Sequence, residues 1–255
     1  GLPFQLLAGG TDLVVEGHLA APSKDPRPAR LLIDISSVPE LAKVEDRGSV
    51  VRLGGGVTYH TLRREPLAGR IPLLAAMAKD VGAVQIQARG TLAGNVATGS
   101  PAADGVCALF ALDAVVGLVS ASGERAIPIG EFYQGYKRTC RRPDEVIAWI
   151  DVSVPSASAT WKWRKVGTRL AQAISKVALA AVLELDGRLI RSARFGMASV
   201  GPTTASLPTV RAMLEGKTAG SIDLAALERA VDADVSPIDD VRSTGEYRRH
   251  VARAL

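Results

Sequence analysis

Along the first part of the chain, short apolar runs alternate with glycine turns, a pattern that predicts strands interleaved with short helices. Phe4–Ala8 reads as a strand stopped by Gly9-Gly10, and Thr11-Asp12 then opens a helix, both being residue types suited to a helix N-terminus. Leu31–Ile35 and Val50–Leu53 read as strands, the second closed by Gly54-Gly55-Gly56. Thr58 caps a helix through Leu62, and Pro72 begins another that carries Leu73, Leu74, Met77 and Val81. Asp104–Leu112 is a small-residue helix, Ala114–Ser120 a strand ending at the turn Ser122-Gly123, and Glu145–Val154 a long strand.

Pro155–Ala159 is the best linker candidate, and beyond it the pattern changes. Trp161–Val166, Ala178–Leu185 and Leu189–Val200 suggest antiparallel strands, with Asp186-Gly187 as a hairpin turn. One helix begins at Ser221, placing Leu224, Leu227 and Val231 at helical spacing. A last helix begins at Ser243, where Glu246 completes a capping box. Its apolar face carries Tyr247, Val251 and Leu255, leaving the arginines on the other side. The whole predicts two domains, residues 1–157 and 158–255.

Composition narrows the function. A chain of 255 residues is long enough for two modest cores, and no apolar run is long enough to span a membrane. The richest stretches, Ala173–Leu185 and Val106–Val119, are broken by Lys176, Glu184 and Asp113. Residues Gly1–Gln5 show no signal-peptide pattern. Cys107 and Cys140 are too few for a disulfide framework or an iron–sulfur cluster, which points to a cytoplasmic location. The net charge of +5 gathers in three clusters: Arg138, Arg141 and Arg142; Lys162, Arg164, Lys165 and Arg169; Arg248, Arg249 and Arg253. Only the second has interleaved aromatics, Trp161 and Trp163, and no nucleic-acid motif accompanies it. Solvated faces, subunit contacts or a seat for a small anionic cofactor account for these clusters better than a nucleic acid does.

Familiar catalytic sites are absent. Tyr59 stands where a dinucleotide fingerprint beginning at Gly54 needs its third glycine, and Arg211 where a P-loop ending in Gly216-Lys217-Thr218 needs its first. His18, His60 and His250 are isolated, and Ser100 is in no nucleophile elbow. Two glycine-rich segments remain. In Leu6-Leu7-Ala8-Gly9-Gly10-Thr11-Asp12-Leu13, a strand running through glycines into a helix leaves backbone N–H groups open to phosphate oxygens. Thr11 adds a hydroxyl, while Asp12 suits a helix cap or a ribose. The second, from Gly90-Thr91-Leu92-Ala93-Gly94-Asn95 through Thr98 to Asp104, has the composition of backbone laid close along an extended polar ligand. Each segment taken singly is equally an ordinary turn.

Together, Leu7–Leu13, Gly90–Asn95 and Ser100-Pro101-Ala102-Ala103-Asp104 resemble the FAD-binding signature of molybdenum hydroxylase flavin subunits, the xanthine dehydrogenase and carbon monoxide dehydrogenase type. Gly135–Thr139, Pro143–Ile147, Lys165 with Ile174–Val177, Gly201-Pro202-Thr203 and Ser236–Arg242 follow in that family's order. The resemblance implies an α+β fold: a vanillyl-alcohol-oxidase-like (PCMH-type) FAD-binding domain of two small α/β subdomains, then an α/β C-terminal domain with an antiparallel sheet. It implies that Leu6, Leu7, Ala8, Gly9, Gly10, Thr11, Asp12 and Leu13 wrap the diphosphate, and that Thr91, Leu92, Ala93, Gly94, Asn95 and Thr98 complete the pocket. Asp104 then bonds the cofactor, and Ile147 and Lys165 lie against the isoalloxazine, where a positive charge favours the reduced ring. Ala93, Gln87, Ala88 and Ala173 depart from the family's usual residues, and the resemblance implies one more strand–helix unit ahead of the phosphate loop.

The resemblance further implies electron transfer without a catalytic acid or base on this chain. Molybdopterin and [2Fe–2S] clusters are expected on large and small partner subunits, and NAD⁺ or another compound as acceptor. A self-sufficient FAD-dependent oxidoreductase and a basic nucleotide-binding module are the alternatives. They differ in whether the isolated chain turns over substrate, or is colourless and binds single strands in a salt-sensitive way.

Overall fold

The computed structural model describes residues 4–19 and 31–255, with backbone only over 16–19. The leader reading at Gly1–Pro3 and the side chain of His18 lie outside the described residues. Strands β1 (Phe4–Leu7) and β2 (Leu31–Asp34) pair in parallel, Phe4 opposite Leu31, with helix α1 (Thr11–Leu19) in the segment between them. Parallel pairing demands a crossover rather than a hairpin.

The next unit opens with the hairpin β3 (Val44–Asp46) and β4 (Val50–Gly54). Helices α2 (Tyr59–Leu62), α3 (Leu67–Arg70), α4 (Pro72–Lys79), α5 (Val84–Arg89), α6 (Leu92–Thr98) and α7 (Asp104–Ala111) follow. The chain continues through β5 (Val115–Ser120), β6 (Gly123–Pro128), α8 (Ile129–Phe132), the small ladder β7 (Tyr133–Gly135) and β8 (Arg138–Thr139), and β9 (Val146–Ser153). Strand β9 inserts between β4 and β5, giving an antiparallel five-stranded sheet of order β3-β4-β9-β5-β6. Leu53, Ile150, Val116 and Leu118 of this sheet pack with Leu73, Leu74 and Met77 of α4 and Leu109 of α7 into one core.

The remainder is an antiparallel meander, β10 (Thr160–Val166), β11 (Val177–Asp186) and β12 (Leu189–Ala198), with helices α9 (Pro208–Leu214), α10 (Leu224–Asp234) and α11 (Gly245–Ala254). The two-residue side-chain period of the central strand decides its role. Val177, Leu179 and Ala181 join Val210, Leu214, Val231 and Val251 of the helices. Ala178, Ala180 and Val182 face the other way, into the first core with α7. Small residues permit this close approach: a Cβ on Gly196 would stand 2.0 Å from the Cys107 carbonyl oxygen, and Cys107 Sγ donates to the Gly196 carbonyl at 3.0 Å. Among the described residues no helix is long and apolar enough to cross a membrane.

Several local expectations shift. The hairpin loop is Gly187-Arg188, since Asp186 pairs with Leu189, and Gly187 takes the left-handed conformation at φ 59°. Ser221 ends a 3₁₀ turn, and Asp223 caps α10 by accepting from the Ala225 N–H. Thr244, not Ser243, caps α11, accepting from the Tyr247 N–H at 3.2 Å. Helix α9 has no counterpart in the sequence reading, because its seven residues are too few to show a period, and only Val210 and Leu214 of them are buried. Arg248 does not lie on a solvated face: it is 3% exposed, while Tyr247 is open and lies under the Lys176 ammonium.

Candidate functional site

Two loops distant in sequence meet here. A Cβ on Gly9 would stand 2.0 Å from the Arg89 carbonyl oxygen, so only glycine lets the first loop close on the second. Gly10, at φ 72°, turns the strand directly into α1, where the Val14 N–H donates to the Gly10 carbonyl at 3.0 Å. Thr98 Oγ1 lies 2.5 Å from Asp12 Oδ2 and 3.0 Å from the Gly94 carbonyl, its one proton shared between these two acceptors, and so ties α1 to α6. Leu6, Leu7, Ala8, Thr11 and Leu13 flank this junction half-buried.

The segment expected to run along a ligand is largely helix α6. Thr91 Oγ1 accepts from the Gly94 N–H at 2.9 Å, a cap that starts the helix. Leu92 and Ala93 point into the core, so the Ala93 methyl, where the family resembled has glycine, is buried among apolar neighbours. Asn95 Oδ1 accepts from the Val106 N–H at 3.3 Å, joining α6 to the first turn of α7. Gln87, another departure from that family, is buried and donates to the carbonyls of Lys79 and Val81 while accepting from Arg63.

These elements wall a cavity of ≈ 550 Å³, within the roughly 300–1,000 Å³ usual for cofactor sites. Asp12, Asn95, Thr98, Asp104 and Lys165 all line it. Ile86, Lys137, Ala173, Ile174 and Arg242 line it too, and these the site reading from sequence did not select. Lys137, Ile174 and Arg242 stand inside segments singled out as motifs and Ala173 was marked as a departure, which was the available signal. The rest of the first loop, residues 6–11 and 13, and residues 91–94 do not line it, nor does Ile147, which is 6% exposed in β9 and belongs to the core.

The polar centre of the wall is a buried network. Lys165 Nζ donates to Asp104 Oδ2 at 2.6 Å and to the Asp80 carbonyl at 2.8 Å. Ser175 Oγ donates to Asp104 Oδ1 at 2.6 Å, and Trp163 Nε1 to Asp80 Oδ2 at 2.8 Å. Burial pushes the Asp104 carboxyl above its ordinary range, against the opposing pull of the Lys165 ammonium and the Lys165 and Ser175 hydrogen bonds. Lys165 is thus charge-compensated rather than presented bare. A second cavity of ≈ 420 Å³, lined by Asp80, Gly167 and Arg169 among others, shares Lys165 and Ala173 with the first.

The donor set and shape fit a dinucleotide. The glycine turn adjoins the cavity through Asp12 and leaves its backbone open to phosphate oxygens, while Asn95, Thr98 and Asp104 offer hydrogen-bonding groups along the wall itself. Comparison with known proteins agrees. Residues 2–157 match the family model for the FAD binding domain in molybdopterin dehydrogenase, and residues 162–255 that for the CO dehydrogenase flavoprotein C-terminal domain. The carbon monoxide dehydrogenase medium chain of Hydrogenophaga pseudoflava is 28% identical over 99% of this chain and 86% of its own. The nicotine 6-hydroxylase medium subunit of Paenarthrobacter nicotinovorans is 29% identical over 98% and 86%. A solved chain of the Hydrogenophaga pseudoflava carbon monoxide dehydrogenase superposes with a TM-score of 0.92 at 28% identity, covering 100% of this chain and 87% of that one.

Proposed function

This chain belongs to the family of FAD-binding subunits of molybdopterin dehydrogenases, and from that premise we propose that it is the flavin relay of a molybdenum hydroxylase complex. It takes electrons singly from [2Fe–2S] clusters on a small partner subunit. A large partner subunit with molybdopterin oxidises the substrate, and NAD⁺ or another acceptor receives the electrons. FAD supplies the two-electron to one-electron interchange, which no protein side chain can perform.

The chain's own residues hold and shield that cofactor. The Gly9-Gly10 turn and the first turn of α1, with Thr11, approach the diphosphate through backbone N–H groups. Asn95 and Thr98 bond the polar middle of the cofactor, and Asp12, fixed by Thr98, is positioned for a ribose hydroxyl. Thr91, Leu92, Ala93 and Gly94 act from beneath, keeping α6 in place. Asp104 on α7 and Lys165 on β10 meet across the boundary, which we place within 155–159, and orient the ring end between the two halves. Their paired charges leave a local dipole at the ring rather than a full positive charge.

The carrying observation is the junction itself: two glycine-bearing loops locked together at Gly9 and Arg89 beside a cavity of cofactor size. Purified chain, supplied with FAD, is expected to show a flavin absorption band that dithionite bleaches. A chain that stays colourless after FAD addition refutes the reading.

A further inference from the structure

The segment Ser236–Arg242 matches a landmark of the family but has no role in the site so far. Its last residue, Arg242, lines the cofactor cavity. The side chain is held rather than free: Nε donates to Asp240 Oδ2 at 3.0 Å, Nη2 to the same oxygen at 2.5 Å, and the backbone N–H to Asp240 Oδ1 at 2.8 Å. Asp240 Oδ1 also accepts from Arg248 Nη2 at 2.6 Å. Arg248, 3% exposed, anchors the group to the sheet by donating from Nη1 to the carbonyls of Ser199 and Lys176 at 3.0 and 3.2 Å.

One carboxylate therefore serves two guanidinium groups, and the cluster keeps a surplus positive charge. Arg248 is sealed in the interior, so the member of the pair that faces the cavity is Arg242, with 35% of its side chain open. The other charges of the lining do not cancel it. Lys165 is matched by Asp104, and the one remaining carboxylate, Asp12, faces both Arg242 and Lys137, so the lining stays net positive. Lys137, the remaining cation of the lining, has no carboxylate partner among the described residues, and its backbone packs against Gly99 at the end of α6. A guanidinium oriented by a carboxylate on one edge presents its other N–H groups in a fixed fork, the geometry that suits phosphate oxygens.

Resting on the FAD reading above, we infer that Arg242 binds the diphosphate of the flavin dinucleotide from the C-terminal half of the chain, opposite in sequence to the Gly9-Gly10 turn. Asp240 and Arg248 are positioning residues that act through it. Lys137 adds a second, looser positive charge to the same cavity. The arrangement makes dinucleotide binding a task of both halves, although the glycine loops lie in only one.

The test compares the wild-type chain, Arg242→Gln and Arg242→Lys, each stripped of flavin and titrated with FAD and with riboflavin, which lacks phosphate. Flavin fluorescence reports binding, and thermal unfolding is followed in parallel. Arg242→Gln is expected to weaken FAD by about tenfold or more, the worth of a charged hydrogen bond. Riboflavin affinity and Tm stay near wild type, FAD binding loses part of its salt sensitivity, and Arg242→Lys recovers part of the affinity. Unchanged FAD binding in Arg242→Gln overturns the inference while leaving the FAD reading intact. So does an equal loss for both flavins with a lowered Tm, which marks a purely structural role. A wild type that binds neither flavin overturns both.

Discussion

Single residues in this chain carry charge in ways that burial alone would forbid. Glu145 is 3% exposed yet ionised, because Arg125 donates to it from Nε at 2.6 Å and from Nη2 at 2.8 Å, and the Arg142 N–H donates at 2.6 Å. The Arg125 hydrogen bonds, working against burial, hold its pKa down at about 2 from an ordinary 4.5. A carboxyl whose folded pKa is depressed stabilises the fold above its unfolded pKa, and that contribution fades as pH falls from 4.5 toward about 2. Glu145→Gln is therefore expected to lower Tm by about 2–4 °C at pH 7, with the gap to wild type closing across that acid window. Thermal melts at stepped pH check it, and a gap that persists at pH 2 contradicts the assignment. Neither this pair nor Lys165–Asp104 was readable from the sequence, since the partners are distant along the chain and charge gives no period. The Gly9-Gly10 loop was readable, because its geometry is a property of glycine itself.

Among the elements, α11 shows how a pattern can be right in kind and wrong in face. Its periodicity correctly places Val251 in the core, at 8% exposure. Arg248 was expected to face solvent with its neighbours, but it turns inward and ties the helix to the residues flanking β11 and β12 through the Lys176 and Ser199 carbonyls. Arginine is enriched on surfaces, so only the docking of the helix against Asp240 reveals the exception. Arg248→Met leaves Asp240 paired with Arg242 but takes a buried donor from the Ser199 and Lys176 carbonyls. It is expected to cost about 1–3 kcal/mol of folding stability in urea unfolding; no measurable loss would show the network to be dispensable. The capping of α10 and α11 was displaced by one or two residues for a simpler reason. Ser221, Asp223, Ser243 and Thr244 are all competent caps, and tertiary placement chooses among neighbours.

At the scale of the molecule, the two halves share a core. Ala178, Ala180 and Val182 of β11 pack with the α7 side of the first unit, and the cavity takes Asp104 from one half and Lys165 and Arg242 from the other. A single cooperative unfolding transition is therefore expected in calorimetry, and FAD at a hundred times its Kd should stabilise it by about 2.7 kcal/mol. Two resolved transitions, with FAD shifting only one, would show the halves to be independent.

The sequence by itself determined the order of the longer strands and helices through apolar periodicity, the presence of two glycine loops, and the family through the ordered motifs, while short elements such as α6 and α9 escaped it. Those features are local, each fixed by the conformational limits of a few adjacent residues. Tertiary structure alone decided that the two loops touch at Gly9 and Arg89, that Lys165 is neutralised by Asp104, that Ile147 turns into the core, and that Arg242 reaches the cavity on a buried support. Each of these depends on which surfaces come within a few ångströms of one another. That is settled by packing between elements far apart in the chain, and no local pattern encodes it.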